Sequence, residues 1–356
     1  MNDTPLEPAA APYAGFTPEQ VLDALDALGF RPDGRLLALN SYENRVFQLG
    51  IEDAAPVVVK VYRPGRWSDA AIAEEHAFVA ELIEREIPVA APLVLTLPEP
   101  MPRFDGRPPL AVTLNAGATL ATIDGFRYAV FPRCIGRAPE LEQPETLEWM
   151  GRFMGRIHAV GKLSRFESRP SIDIDTYGRG PRDWLLAHGC IPDELREAWV
   201  STLGHALDRV AACYERAGDV STLRLHGDCH AGNVLWNDRG DPPGPCFVDF
   251  DDARMGPAMQ DLWMLLSGDR AAMTIQLSDV LAGYEDFCDF DRRELHLVEA
   301  LRTLRLIHYS AWLAQRWTDA AFPAAFPWFG SVKYWQDRIL ELREQIALMD
   351  EPPLVV

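Results

Sequence analysis

The chain has 356 residues, 48% of them hydrophobic, and carries 34 Lys and Arg against 53 Asp and Glu, a formal charge of -19. That length is generous for one core, so two domains or lobes are expected, and the acidic balance argues against a general nucleic-acid or anionic-membrane surface while leaving room for one nucleotide in a locally basic site. Six scattered cysteines without paired spacing, and a start lacking the basic and apolar parts of a secretory signal, fit a cytoplasmic protein.

Residues 1–16, rich in Ala and Pro, read as a flexible lead-in, and Thr17-Pro18 opens a helix with Thr17 as N-cap and Pro18 at its first position. "LLALNSYENRVFQLG" and "APVVVKVYRP" read as strands. The helix "SDAAIAEEHAFVAELIERE" places Ile72, Glu75, Val79 and Leu82 or Ile83 on one face, leaving Glu74, Glu81 and Glu84 on a solvated one. Strands resume from Pro92 through "FRYAVFPRCIG", interrupted by a Pro-rich loop from Pro98 to Pro109. After Gly136 the pattern is helical except around "LRLHGDCHAGNVLWNDRGDPPGPCFVDFDDA". The apolar stretch from Glu294 to Trp317 is interrupted by Arg302, Arg305 and Arg316 and does not read as a membrane span. Trp312, Trp317, Trp328 and Trp335 read as packing of the helical part. The expected division is a strand-rich N-lobe over 17–132 and a larger, mostly helical C-lobe over 133–356.

The stretch from Leu223 to Ala253 concentrates His226, Asp228, Cys229, His230, Asn233, Asp249, Asp251 and Asp252 between two apolar strand-like runs. A structural zinc site wants four suitably spaced ligands, and no CxxC or HxxxH partner follows, so zinc is a minor reading. A Cys229 nucleophile has no identifiable base, and a small buried Cys is the commoner state. Phosphoryl transfer accounts for more of these residues at once. It needs a carboxylate at the acceptor hydroxyl, oxygen ligands for Mg²⁺ and a cation on the nucleotide phosphates. "HGDCHAGN" spaces Asn233 five residues after Asp228, as in the kinase pattern HRDxxxxN, and the strand pair returns Asp249 beside them. Asp228 is then the proton acceptor, and Asn233 and Asp249 are the metal ligands. Lys60 lies on a strand face with Val58 and Tyr62, while Glu75 on an apolar helix face would be costly without a cation. A Lys60–Glu75 pair answers both and matches the pair that orients ATP phosphates in kinases. Solvated-edge and loop-capping roles remain the bland alternatives for these groups. His226 is read as either an orienting or a satisfied core histidine, Asp251 and Asp252 as turn or cap residues, and Asp261 as a brace for the catalytic loop.

The chain resembles the aminoglycoside phosphotransferase-like kinases, and within them the bacterial stress response kinase A family of Ser/Thr protein kinases. The stretches that carry this are "LNSYENRV", "VVKVYRPGRW", "EEHAF", "PVAAP", "VFP", "LHGDCHAGN", "FVDFDDAR", "GPAMQDLWML", "FPWF" and "EPPL". The resemblance implies an α+β, bilobal protein-kinase-like fold with a small β-rich N-lobe and a larger helical C-lobe. It further implies ATP as co-substrate, Mg²⁺ as cofactor, a bacterial stress-response role, and transfer to Ser or Thr of protein substrates and of the kinase itself. Carried over, Asp228 and Asp249 are catalytic, Asn233 and Asp249 hold the metal, and Ser41, Lys60 and Glu75 serve ATP. Glu74 is the fallback for Glu75. "LNSYENRV" lacks the glycines of the usual phosphate loop, so Ser41 and Asn44 are expected to substitute, and "DFD" in place of "DFG" argues against activation-loop control. Ser41 is also a candidate phosphosite. The expected partners are protein substrates, with no nucleic acid, no membrane and a monomeric state. Two other functions stay open: a small-molecule alcohol phosphotransferase of amino-sugar or choline type, and a non-catalytic nucleotide-binding regulator.

Overall fold

The computed structural model describes residues 12–99, 109–240 and 243–356. Residues 1–11 of the expected lead-in, and 100–108 of the expected Pro-rich loop, lie outside the described residues. The chain divides into two compact units, one of Met1–Ala73, Pro92–Arg133 and Arg316–Ala325, the other of Glu74–Ala91, Cys134–Gln315 and Phe326–Val356.

The first unit is built on a six-stranded antiparallel sheet. Its strands are β1 (Pro32–Ala38), β2 (Arg45–Ile51), β3 (Ala54–Tyr62), β4 (Val112–Asn115), β5 (Leu120–Ile123) and β6 (Phe126–Pro132), in the order β1-β2-β3-β6-β5-β4. β3 is central because its β-branched run can be buried on both faces. Val57, Val59 and Val61 enter a core with Leu49, Ile123 and Val130, while Tyr62 on the other face joins Ile72, Leu120 and Ala129. Each of those valines contributes about 2 kcal/mol by leaving water. Helix α1 (Pro18–Ala27) packs Val21, Ala24 and Leu25 into the first of these cores. Thr17 is its N-cap, as expected, and the Thr17 N–H donates to Gln20 Oε1 at 2.8 Å. Order starts earlier than Thr17, because Phe16 packs edge-on against Phe126 and the Tyr13 hydroxyl donates to the Val61 carbonyl at 3.1 Å.

Helix α2 (Asp69–Glu84) is shared between the units, because its face changes role along its length. Ile72 belongs to the sheet's second core, whereas Phe78, Val79 and Leu82 belong to the main helical core. Ile83, the alternative to Leu82 for that stripe, is 46% exposed. The second unit holds α3 (Pro144–Gly161), α4 (Gly180–Ala187), α5 (Asp193–Ala217), α6 (Met259–Trp263), α7 (Arg270–Tyr284) and α8 (Val298–Gln315). The short α9 (Ala321–Ala325) returns to the first unit, and α10 (Val332–Met349) closes the second. Close packing of α3 on α7 requires small residues: a Cβ at Gly151 would meet the Val280 carbonyl, and one at Gly283 the Glu148 carbonyl. Trp335 is fully buried in the helical core as expected, and Trp328, though 46% exposed, sets its ring against Tyr334 at 5.5 Å and Phe326 at 5.8 Å between centroids. Two short antiparallel pairs, β7 (Leu223–Arg224) with β10 (Met255–Gly256) and β8 (Val234–Asn237) with β9 (Gly244–Phe247), frame the polar cluster. Among the described residues, no helix is long and apolar enough to cross a membrane.

Candidate functional site

The second unit brings Asp228, Asn233 and Asp249 into one neighbourhood by backbone geometry. The β8–β9 register pairs Val234 with Phe247, and just beyond it the Val248 N–H donates to the Asn233 carbonyl at 3.0 Å. Asn233 is therefore placed next to the residue preceding Asp249. From the other side, Asn233 Nδ2 donates to the Asp228 carbonyl at 2.9 Å and closes the loop. That spends the amide nitrogen inward and leaves the amide oxygen as the group suited to a hard cation. Asp249 itself adopts a left-handed conformation, φ 61° and ψ 65°, uncommon for a residue with a Cβ and tolerated best by Asn and Asp.

The loop is held from beneath by one carboxylate. Asp261 on α6, fully buried, accepts from the His226 N–H and the Gly227 N–H, both at 2.8 Å, and from His158 Nε2 at 3.1 Å. His158 Nδ1 lies 2.9 Å from the Tyr284 hydroxyl. Three donors on one carboxylate replace its lost hydration. The bracing role read for Asp261 is therefore what the geometry shows. Gly227 is obligatory here: φ is +86°, and a Cβ would fall 2.0 Å from the Asp252 carbonyl oxygen. His226 fulfils both of its readings, being wholly buried while its Nε2–H donates to the Val248 carbonyl at 2.9 Å, tying the loop to the strand that ends at Asp249. Cys229 is also wholly buried, and burial pushes its thiol well above the ordinary value, which removes it as a nucleophile.

Asp228 is half-buried, and its Oδ1 lies 2.7 Å from Arg305 NH2 on α8, with His230 Nε2 3.6 Å from its Oδ2. Glu75 is 2% exposed and its Oε2 accepts from Arg169 NH2 at 2.8 Å; Arg169 NH1 also donates to the Asp251 and Ala253 carbonyls. The cation that a buried Glu75 demands is thus supplied within the second unit by Arg169, a partner not read from the sequence. The solvated face assigned to Glu74 and Glu81 is corrected. Glu74 accepts from the Glu167 and Ser168 N–H groups, and Glu81 forms a two-pronged pair with Arg224 at 2.7 and 3.0 Å. Those partners lie about 90 to 140 residues away, beyond any helical pattern. Asp251 is buried, and Asp252 lies 3.6 Å from Arg254.

Ser41 and Lys60 belong to the first unit. The Ser41 hydroxyl donates to the Asn44 carbonyl at 3.0 Å, and Asn44 Oδ1 accepts the Arg63 N–H at 3.0 Å, so this glycine-free turn is shaped by side chains. Lys60 is 6% exposed, with Nζ 5.1 Å from the Tyr62 ring centroid on the same strand face. Sequence reasoning missed Arg305 and Arg169. The signal available for Arg305 is that it interrupts an otherwise apolar helix.

Among the described residues no group of three or more His, Cys, Asp or Glu side chains is disposed to hold a metal. The side-chain oxygens of Asn233 and Asp249, one neutral and one a carboxylate, are of the hard type that could serve a divalent cation sharing its shell with phosphate oxygens and water.

Comparisons with known proteins give the family and the fold. The model of the phosphotransferase enzyme family matches residues 35–298. Stress response kinase A of Salmonella choleraesuis (strain SC-B67) is 44% identical over 354 residues, covering 99% of this chain and 98% of that protein. A protein of Salmonella typhimurium named serine/threonine protein kinase RdoA is 43% identical with the same coverage. Among solved structures, an amicoumacin kinase in complex with AMP-PNP and Ca²⁺ superposes with a TM-score of 0.67 at 17% identity, covering 96% of each chain, which establishes the shared fold. A family model over most of the chain and full-length relatives above 40% identity lead to one conclusion: the chain belongs to the phosphotransferase enzyme family.

Proposed function

We propose that this protein is an ATP- and Mg²⁺-dependent Ser/Thr protein kinase of a bacterial stress response, acting on protein substrates and on itself. The observation that carries the reading is the joint placement of Asp228, Asn233 and Asp249 by the Asn233–Asp228 and Val248–Asn233 hydrogen bonds. The names of the full-length relatives support the protein acceptor and the stress role. In this reading Asp228 takes the proton of the acceptor hydroxyl and holds it for in-line attack. Asn233 and Asp249 hold the magnesium, which when bound neutralises charge on the ATP phosphates. Asp249 also shapes the loop through its left-handed backbone. Ser41 lies at the phosphates in place of a glycine loop, and Lys60 pairs with Glu75 to orient them. Glu75 then answers to two cations, Lys60 and Arg169. The N-lobe is taken as 17–132 and the C-lobe as 133–356, and the protein as a cytoplasmic monomer. Phosphate on Ser41 would add roughly two negative charges and lower ATP affinity.

The test is incubation of the purified chain with labelled ATP and Mg²⁺, alone, with a cell extract and with a panel of small alcohols, followed by phosphosite identification. Label on Ser or Thr of proteins is the expected result. Label confined to a small alcohol would reverse the acceptor assignment. Normal turnover of Lys60→Ala at low ATP would remove Lys60 from the phosphate-orienting role.

A further inference from the structure

The acceptor side of Asp228 carries a feature that phosphate transfer alone does not require. Arg305 reaches from α8 to within 2.7 Å of Asp228 Oδ1, and its side chain is still 36% exposed. Around this pair lie more cationic and aromatic groups. Tyr177, buried in a π-helical turn over Asp175–Arg179, stacks on His308 with ring centroids 4.1 Å apart, and Arg254 lies 5.3 Å from the Tyr177 centroid. Tyr177 is within electrostatic reach of Arg305, Arg254, Asp228 and Asp252 together, so these groups form one cluster. His308 follows Arg305 by three residues on α8 and so shares its face.

Two consequences follow from an arginine at this place. A carboxylate that must accept a hydroxyl proton needs a fixed orientation, and a guanidinium on Oδ1 leaves Oδ2, with His230 Nε2 3.6 Å away, as the oxygen to meet the acceptor. The second consequence concerns selection. An unpaired catalytic carboxylate attracts a cationic acceptor, as an amino sugar or choline would be. Here the counter-ion position beside Asp228 is already filled by Arg305, whose side chain keeps part of its surface exposed. The overall charge of -19 pulls the other way, toward cationic partners. That field is screened over about 8 Å at physiological salt, whereas Arg305 acts at contact.

We propose that Arg305 is a positioning and selectivity residue, holding Asp228 with one oxygen presented to the acceptor and favouring a Ser or Thr flanked by acidic residues over a cationic acceptor. This rests on the protein-kinase reading above. The experiment uses the full chain with Mg²⁺ and ATP at fixed ionic strength and two Ser peptides that differ only in flanking Asp and Glu against Lys and Arg. The quantity read is the acidic-to-basic ratio of kcat/KM, with the KM for ATP measured alongside. The wild type is expected to favour the acidic peptide by roughly 10-fold or more, and Arg305→Gln to lower that ratio by roughly 10-fold, with the KM for ATP changed less than about 2-fold. Arg305→Lys keeps the charge and should preserve the direction of preference while lowering kcat, because it loses the planar fork. A merely structural role would depress both peptides equally in Arg305→Gln and leave the ratio unmoved, which would overturn the proposal. A wild-type preference for the basic peptide would overturn it as well. If neither peptide is phosphorylated while a small alcohol is, the protein-kinase reading fails and this proposal falls with it, an outcome distinct from peptides phosphorylated without charge preference.

Discussion

Two loops, one in each unit, carry the polar residues assigned to nucleotide and acceptor, and they are held by opposite means. The turn over residues 40–44 in the first unit has no glycine and rests on ion pairs. Glu43 pairs with Arg316 and lies near Arg63 and Arg66, while Asp319 binds Arg63 at 2.8 Å and Arg45 at 3.1 Å. The loop over residues 226–233 in the second unit turns on Gly227 and rests on backbone N–H groups donated to the single carboxylate of Asp261. Glu43 of the first turn is tied both to Arg316, 273 positions away, and to Arg63 and Arg66, nearer in sequence, whereas the second loop is tied to a helix about 35 positions on. The loop without glycine takes its shape from side chains, Ser41 and Asn44 within it and the charges around Glu43, and the loop with glycine from backbone N–H groups directed onto one anchor.

The largest expected effects lie in the second loop. Asp228→Asn should lose roughly 10²-fold or more in transfer rate while keeping Mg·ATP binding, the usual scale for a positioned general base. Asp249→Asn should weaken metal-dependent nucleotide binding as well as turnover. Titration calorimetry with and without Mg²⁺ separates the two, and the reverse pattern would exchange or abolish their roles.

Next in size is Gly227→Ala. The added methyl has backbone oxygen 2.0 Å away and an unfavourable φ, and no flexible side chain can give way. A loss on the order of 3–5 kcal/mol is expected in chemical denaturation, together with inactivity. Stability unchanged within error would mean that the loop has another accessible conformation.

The anchors come third and contrast the two loops directly. Asp261→Asn keeps one acceptor oxygen and should cost about 1–3 kcal/mol, nearly independent of salt, because its partners are two neutral N–H groups and an imidazole. Asp319→Asn leaves Arg63 and Arg45 without their carboxylate and should cost about 1.5–3 kcal/mol. Burial alone would raise the Asp319 carboxyl, but the Ala321 N–H, Arg63 and Arg45 outweigh it and hold the group below its usual 3.8. A depressed carboxylate stabilises above its unfolded value and loses that contribution as pH falls through the folded one. Asp319→Asn should therefore flatten the acid limb below about pH 4. An unaltered acid limb in thermal melts would show that this network does not set acid stability.

The smallest effect has the opposite sign in pH. Glu294 accepts the Met259 N–H at 2.7 Å, at the start of the helix that carries Asp261, and burial pushes its carboxyl from 4.5 up to about 7. A carboxyl raised on folding gives stability that is full below about 4.5 and is lost as pH rises through about 7. Glu294→Gln keeps an acceptor oxygen and removes the charge. It should raise stability at pH 8 by on the order of 2 kcal/mol and change it little at pH 4. Parallel melts of both proteins across pH check this, and a constant difference would place the titration elsewhere.

Much of this was legible in the sequence because it is local. The Thr17-Pro18 helix start, the valine run of β3, the five-residue spacing of Asp228 and Asn233, and the apolar runs flanking Asp249 all depend on neighbours within a strand or a turn, where periodicity and steric preference act directly. Burial of Glu75 was legible as well, since its helical face fixed it. Its Arg169 partner, the pairs of Glu74 and Glu81, the hold of Arg305 on Asp228 and the arginines converging on Asp319 were not. A charge has no periodicity that names its counter-ion: Coulomb attraction acts in space, and only the folded chain decides which guanidinium arrives beside which carboxylate. The sequence by itself singled out the candidate residues for phosphoryl transfer; tertiary packing decided what holds them, because a buried charge takes whichever partner the surrounding elements carry within hydrogen-bonding reach.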